Sequence, residues 1–585
     1  MATPLTTPEA ALEAERSSSR RSIRDAIAHA PRWVWVLAFY VAMALVTIGR
    51  HALSHPRTIC ACVGTEDPSL FMWGLSWWPH AISHSINPFV SHEIWAPSGI
   101  DTAKATLMPT AAIATTPFTV LFGPIFSYNV LSILSPALSA FTAYLLCRRL
   151  VGREVSAVVG GYLFGFSSYE FAQLTGHLNL TLVFLIPVIV HVSLRRVDRE
   201  ISRRTYICVM ALLLVLQAGL STELLAECVA FGAVLLVASR FIAHEPQSSR
   251  MGGLVGETIC AGLLALVVAA PFFYYALFSG GFPAGSPIFW DVYALDLLNP
   301  IFPTGITWLG HSTFQTLSVT FVGGGLTGQD GYLSIPLILA FLAFALGAER
   351  RRPLARLLVV AACVTFVAAL GAHMHIAGYQ TITLPLNWTK ELPLFNDIIP
   401  SRMVLFTTLA VSIGVAAWSA KRTGHALGRW VVVLIAVVIT FPNVTMALYG
   451  VPPRNPKFFS TAMYKRYLTH GETVLILPYG HNDVSMLWQA ETGFYFYMPE
   501  GYVGAFTPPS FASSIVATRL LENVPPPGPE LGTFIRQHNV SHVVVDEAEA
   551  GPWPGLLAQL GLPSRSVGGV LLYGVPGGPA DHGNS

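Results

Sequence analysis

Charge is what this sequence has least of. Only 11% of its 585 residues are Asp, Glu, Lys or Arg, 53% are hydrophobic, and the mean hydropathy is +0.56. An ordinary soluble chain carries about a quarter charged residues, so that class is excluded. The formal net charge of +2 offers no basic surface for nucleic acid. No Walker-type phosphate loop is present, and Gly323-Gly324-Gly325 lacks the strand–loop–helix setting of a nucleotide site. The zinc-protease pattern HExxH is missing as well, because His92-Glu93 is followed by Ile94-Trp95-Ala96. Of the seven cysteines, Cys147, Cys208, Cys228, Cys260 and Cys363 lie in apolar stretches suited to packing. Cys60 and Cys62 stand two apart, a poor spacing for a mutual disulfide and short of a zinc motif. The first 30 residues are polar and rich in Ser and Arg, with no secretory signal pattern. An apolar run begins at Trp33. That order predicts a cytoplasmic tail over 1–30 feeding an uncleaved first span.

What the chain has in quantity is long apolar runs. A span needs about 20 mostly apolar residues, and eleven segments qualify: 31–50, 127–147, 154–170, 178–194, 205–220, 222–239, 255–278, 332–348, 354–372, 402–420 and 430–448. A twelfth, 105–124, is interrupted by Pro109, Pro117 and Pro124. Lys and Arg collect in cytoplasmic loops. The basic clusters at 16–32, 148–153, 195–204, 240–250, 350–356 and 421–429 all fall inside only if 105–124 does not cross. It is therefore read as an interfacial or re-entrant helix. The expected fold is an all-α polytopic membrane protein of about 11 transmembrane helices over 31–448, with outer loops 51–126, 279–331 and 373–401. A small extracytoplasmic α/β domain follows over 449–585, from short β-type runs at 472–479, 539–546 and 568–575 and a helix near 553–562.

The first outer loop is the most informative segment. It opens on the acids Glu66 and Asp67, continues through Trp73, Trp77 and Trp78 with His80, His84 and His92 interspersed, and closes on Trp95-x-Pro97-x-Gly99. A carboxylate at the membrane surface can take a proton from an attacking hydroxyl. Thr65-Glu66-Asp67-Pro68 also fits a helix start. Trp77 and its neighbours suit the membrane interface and sugar faces alike. His80 and His84 share a helix face. A divalent cation near Glu66 and Asp67 is compatible with these residues but not required by them. Further along, Gly176-His177-Leu178-Asn179 lies where two spans turn on the outer side, as substrate contact or helix cap. Glu223 sits at the tip of a tight helical hairpin, as a site acid or as an early helical residue. Arg402 opens a span on the outer side, where it breaks the charge asymmetry. It either clamps a phosphate or pairs with Asp397.

These features in this order resemble the membrane-embedded C-type glycosyltransferases (the GT-C superfamily). The carriers of the likeness are the acidic pair, the proline-rich peripheral helix 105–124, the span ending Tyr144-Leu-Leu-Cys-Arg-Arg-Leu150, and a following small-residue span. Protein O-mannosyltransferases and the aminoarabinose transferases of lipid A belong to that superfamily. The string Asp67-Pro68…Trp73…Trp77…Asn87-Pro88-Phe89…Trp95-x-Pro97-x-Gly99, with the later Gly176-His177-Leu178-Asn179, is more similar to a poorly characterised bacterial branch. The resemblance covers roughly 30–450. It implies an inverting transfer on the extracytoplasmic face of a bacterial plasma membrane, from a sugar on a polyprenyl phosphate to a glycan, lipid or protein acceptor. It also implies that the outer-loop acid, Asp67 or Glu66, is the base. His177, Asn179, Trp77, His80, Glu223 and Arg402 are the expected substrate-binding residues. No long Lys/Arg-rich outer loop is present to hold a diphosphate. A transporter or flippase is the rival, with few ionisable residues in mid-span to support it. A non-catalytic scaffold of envelope assembly would not need the acids.

Overall fold

The computed structural model describes residues 31–64, 66–242, 247–278, 289–310, 314–323, 325, 328–391, 398–422, 424–444, 449–479, 484–503 and 507–576. The tail 1–30 and the side chain of Glu66 lie outside the described residues. The chain is mostly helical and multi-pass. Among the described residues, six helices are long and apolar enough to cross a membrane: Arg32–Ala52, Pro124–Val151, Leu178–Val197, Thr222–Ile242, Arg250–Val268 and Pro400–Ser419. Shorter apolar helices run over Pro109–Phe122, Ile335–Leu346, Pro353–Ala369 and Ala426–Ile439. Large side chains such as Phe241, Val267 and Leu427 stand exposed on these helices, as a lipid-facing surface requires.

Four helices follow one another between residues 66 and 165. They are α1 (Glu66–Ser83), α2 (Pro109–Phe122), α3 (Pro124–Val151) and α4 (Glu154–Gly165). The fourteen residues of α2 rise about 21 Å, less than the roughly 30 Å hydrocarbon core. Gly123, at φ +91, ends it, and Pro124 opens α3. The expected span 154–170 breaks. Its helix stops at Gly165, and Ser167 caps a new short helix over Ser168–Gln173 by accepting the Glu170 amide. Likewise 255–278 is two helices, Gln247–Val268 and Ala270–Leu277, parted just before Pro271.

The C-terminal part forms a mixed four-stranded sheet of β1 (Thr473–Leu477), β2 (Val540–Asp546), β3 (Ser564–Val567) and β4 (Val570–Gly574), in the order β1-β2-β4-β3. The first pair is parallel and the others antiparallel. Parallel strands need a crossover, and helices including Ser485–Glu491 and Gly528–Gln537 supply it. β3 was not foreseen. It lacks an apolar run (Ser564-Arg-Ser-Val567) and is held by the hairpin turn at Gly568-Gly569, both at positive φ.

This sheet shares a core with the first outer loop. Trp73, Trp77 and Trp95 pack in one cluster with Val474, Trp488, Phe496 and Val543. The backbone of 93–96 pairs with 498–500: Trp95 N–H donates to Glu500 O, Ala96 N–H to Met498 O and Met498 N–H to Glu93 O, each at 2.9 Å. Fully buried Gln489 clasps the junction, accepting from Trp73 Nε1 at 2.7 Å and donating to the carbonyls of Glu93 (2.7 Å) and Phe496 (2.8 Å). One expectation is corrected here. Cys60 and Cys62 are joined as a disulfide, because the irregular backbone of 58–64 brings their Cα atoms within 5.2 Å.

Glu93 is sealed into this junction at 8% exposure. Its Oε2 has no hydrogen-bond partner among the described residues, and burial pushes its carboxyl up to about 8. Unfolded, it would titrate near 4.3. Between those values the unfolded chain releases a proton that the folded chain keeps, so this group's contribution to stability falls as pH rises from about 5 to 8. Glu93→Gln is expected to flatten that dependence. Melting of the purified protein at several pH values checks it, and parallel declines in wild type and variant would refute it.

Candidate functional site

Asp67 sits in the first turn of α1, where that helix meets the turn before Leu178. The approach is set by backbone, since Val63 N–H donates to Thr175 O at 2.9 Å. The turn then presents His177, whose Nε2 lies 3.1 Å from Asp67 Oδ2. On the other oxygen, Tyr502 Oη donates to Asp67 Oδ1 at 2.6 Å, across 435 residues of sequence. The Asp67 and His177 side chains are 26% and 24% exposed, so the pair is lined by protein yet reachable. Burial would raise the Asp67 carboxyl. The hydrogen bond and charge of His177, the Tyr502 hydroxyl and the charge of Arg402 outweigh it and hold the group below the usual carboxylate range. The result is a carboxylate that stays ionised at neutral pH with both oxygens engaged.

Behind it lies a second group. Arg402 Nη1 donates to Glu223 Oε2 at 2.5 Å, while Glu223 Oε1 accepts Ile399 N–H at 3.2 Å. Asp397, the expected alternative partner, lies outside the described residues. Around this pair stand Tyr169, Glu227 and Asp330, all electrostatically coupled to Arg402. Asp330 Oδ2 accepts from Gln173 Nε2 at 3.1 Å, and burial pushes its carboxyl up to about 7.

Asp67, His177, Glu223 and Arg402 therefore converge. Asn179 is buried in the short helix Leu178–Thr181, directly after His177. Trp77 and His80 sit elsewhere. Trp77 is 1% exposed, stacked on Trp73 with a ring-centroid distance of 5.3 Å, and donates through Nε1 to Pro88 O at 2.9 Å, so its faces belong to the core. His80 stands at the far end of α1 beside His84 and Phe494, with ring centroids 4.2 and 4.4 Å away. Burial first, then the neighbouring His84 and His470, lowers its imidazole to about 4, so it is neutral at physiological pH. Among the described residues, no three His, Cys, Asp or Glu side chains are arranged to hold a metal ion.

Sequence reasoning missed Tyr502 and Glu227. No local pattern singles out Tyr502. Glu227 did leave a signal, as a second acid four residues after Glu223 in an apolar run.

The fold resembles that of a solved membrane-embedded C-type glycosyltransferase. It is similar to arabinofuranosyltransferase AftD from mycobacteria, with a TM-score of 0.59 at 13% identity, over 93% of this chain and 41% of that one. The chain thus spans less than half the length of that enzyme. Lower scores relate it to the Archaeoglobus fulgidus oligosaccharyltransferase tethered with an acceptor peptide (TM-score 0.49, 13% identity, 92% and 74% coverage) and to ArnT from Cupriavidus metallidurans bound to undecaprenyl phosphate (0.46, 14%, 93% and 98%). At these identities the likeness is one of fold, and it rests on the first of the three. No curated protein matches the sequence. Residues 36–441 match the family described as a domain of unknown function, DUF6311, and the chain belongs to that family.

Proposed function

We propose that this protein is an inverting glycosyltransferase that moves a hexosyl or pentosyl group from a polyprenyl-phosphate donor to an acceptor hydroxyl on the extracytoplasmic membrane face. The observation that carries the reading is Asp67 held between His177 Nε2 at 3.1 Å and Tyr502 Oη at 2.6 Å, within electrostatic reach of Arg402. The acceptor oxygen attacks the anomeric carbon, forming the new C–O bond as the bond to the phosphate oxygen breaks, with inversion at that carbon. The acceptor proton passes to Asp67. The phosphate leaves as an anion, which needs no separate acid, and the Arg402 guanidinium faces its growing charge. Prenyl chain and membrane lipids share the apolar flanks of the bundle.

The reading places the N-terminus inside, the C-terminus outside, and eleven crossings between them, with α2 at the outer interface. A topology reporter fused after Arg153 is expected to read cytoplasmic, and an extracytoplasmic signal there overturns the count. The functional test is the glycan and glycolipid composition of cells lacking the chain, then restored. A sugar should disappear on deletion and return with wild type. If deletion changes no glycan, the transferase reading falls.

A further inference from the structure

Arg402 is not a free guanidinium. Glu223 engages it with one carboxylate oxygen and fixes the other on the Ile399 backbone N–H. Two anionic oxygens held by a guanidinium and by an amide at the start of a helical turn are the contacts a phosphate group makes. Both side chains are well covered, Arg402 at 14% and Glu223 at 17% exposure. The space around the pair is already filled by carboxyl groups. Glu227 and Asp330 are each 1% exposed, and both Glu227 oxygens and Asp330 Oδ1 lack hydrogen-bond partners among the described residues. Asp67 adds a carboxylate on the outer side, coupled to Arg402.

We propose that Glu223 is an internal stand-in for the phosphate of the ligand, and that a phosphate monoester or diester binds Arg402 by exchange with Glu223 rather than by addition beside it. The proposal rests on the transferase reading above, which makes Arg402 the phosphate contact. On exchange, Glu223 gives up the guanidinium and keeps the Ile399 N–H. The empty site is thereby protected from adventitious anions, and the guanidinium is held in position. Only a ligand bringing additional binding energy, such as a prenyl chain in the groove, displaces the carboxylate.

The test is equilibrium binding to the purified full-length protein in lipid nanodiscs. Undecaprenyl phosphate in the disc and inorganic phosphate in solution are titrated separately against wild type, Glu223→Gln and Arg402→Gln. Glu223→Gln removes the competing charge while its amide oxygen can still accept the Ile399 N–H, and should tighten phosphate binding about tenfold. Tightening of the lipid alone identifies a lipid headgroup site, and tightening of inorganic phosphate identifies a site for the bare group. Tightening of neither, or weakening of both, overturns the exchange. Arg402→Gln should abolish binding. If it binds as wild type does, the phosphate-contact reading itself fails. Should Glu223→Gln not fold, Glu223→Asp is one methylene too short to span Arg402 and Ile399 together. It is expected to tighten binding about threefold, and unchanged or weaker binding refutes the proposal.

Discussion

Asp67→Asn is expected to lower glycosyl transfer by about a thousandfold, the middle of the range for removing a general base, while the protein melts within a few degrees of wild type. The amide is isosteric, its oxygen still accepts from Tyr502, and His177 keeps a polar partner. The change therefore falls on proton acceptance and not on folding. In vesicles that consume a lipid-linked sugar, kcat should collapse with KM nearly unchanged, because the lost interaction belongs to the transition state. The pH profile carries a second signature. A carboxylate held below its ordinary value remains ionised to lower pH, so the acid limb of wild-type transfer should lie below that of an ordinary aspartate. Tyr502→Phe removes one of the donors that hold it down, and should move that limb upward. Full activity in Asp67→Asn would end the assignment.

The second large effect is structural. In α4, Gly160-Gly161-Tyr-Leu-Phe-Gly165 lays small residues four apart against α3. A Cβ at Gly165 would stand 2.6 Å from Ala140 Cα and closer still to the Ala140 amide and Pro136 carbonyl. One at Gly161 would stand 2.5 Å from Tyr40 Oη and 2.8 Å from Tyr144 Cβ. Small residues let membrane helices approach until backbone meets backbone, where dispersion replaces the missing hydrophobic drive. Gly165→Val should cost at least about 3 kcal/mol, since the clash is with main chain that cannot rotate away. No monodisperse protein is expected from size exclusion in detergent. Gly232→Ala is the control, since nothing lies within 4 Å of its added methyl, and it should melt as wild type does. Equal behaviour of the two variants would deny the seam its role.

The acid and the arginine of the candidate site were legible in the sequence because their signals are local. Charge is costly near apolar spans, so Asp67, Glu223 and Arg402 stood out against their surroundings. So did three of the four C-terminal strands, whose apolar runs carry the strand pattern, and the proline-flanked helix within 105–124, found over Pro109–Phe122. Trp77 was equally conspicuous. A large aromatic reads alike whether it faces a sugar or a core, and only the packing of Trp73 and Phe494 around it distinguishes the two.

Residue pattern by itself determined the membrane class and most helix positions, and it singled out Asp67, Glu223 and Arg402 as candidates, since period, length and charge are properties of short stretches. Tertiary structure alone decided their partners. Tyr502 reaches Asp67 from 435 residues away, Arg402 meets Glu223 across 179, and Gln489 ties the C-terminal sheet to Trp73 and Glu93. No local spacing encodes such meetings, because they follow from how whole helices and the sheet pack once their apolar faces are buried. The same holds for the Cys60–Cys62 bond, which needed the backbone between its ends to fold back.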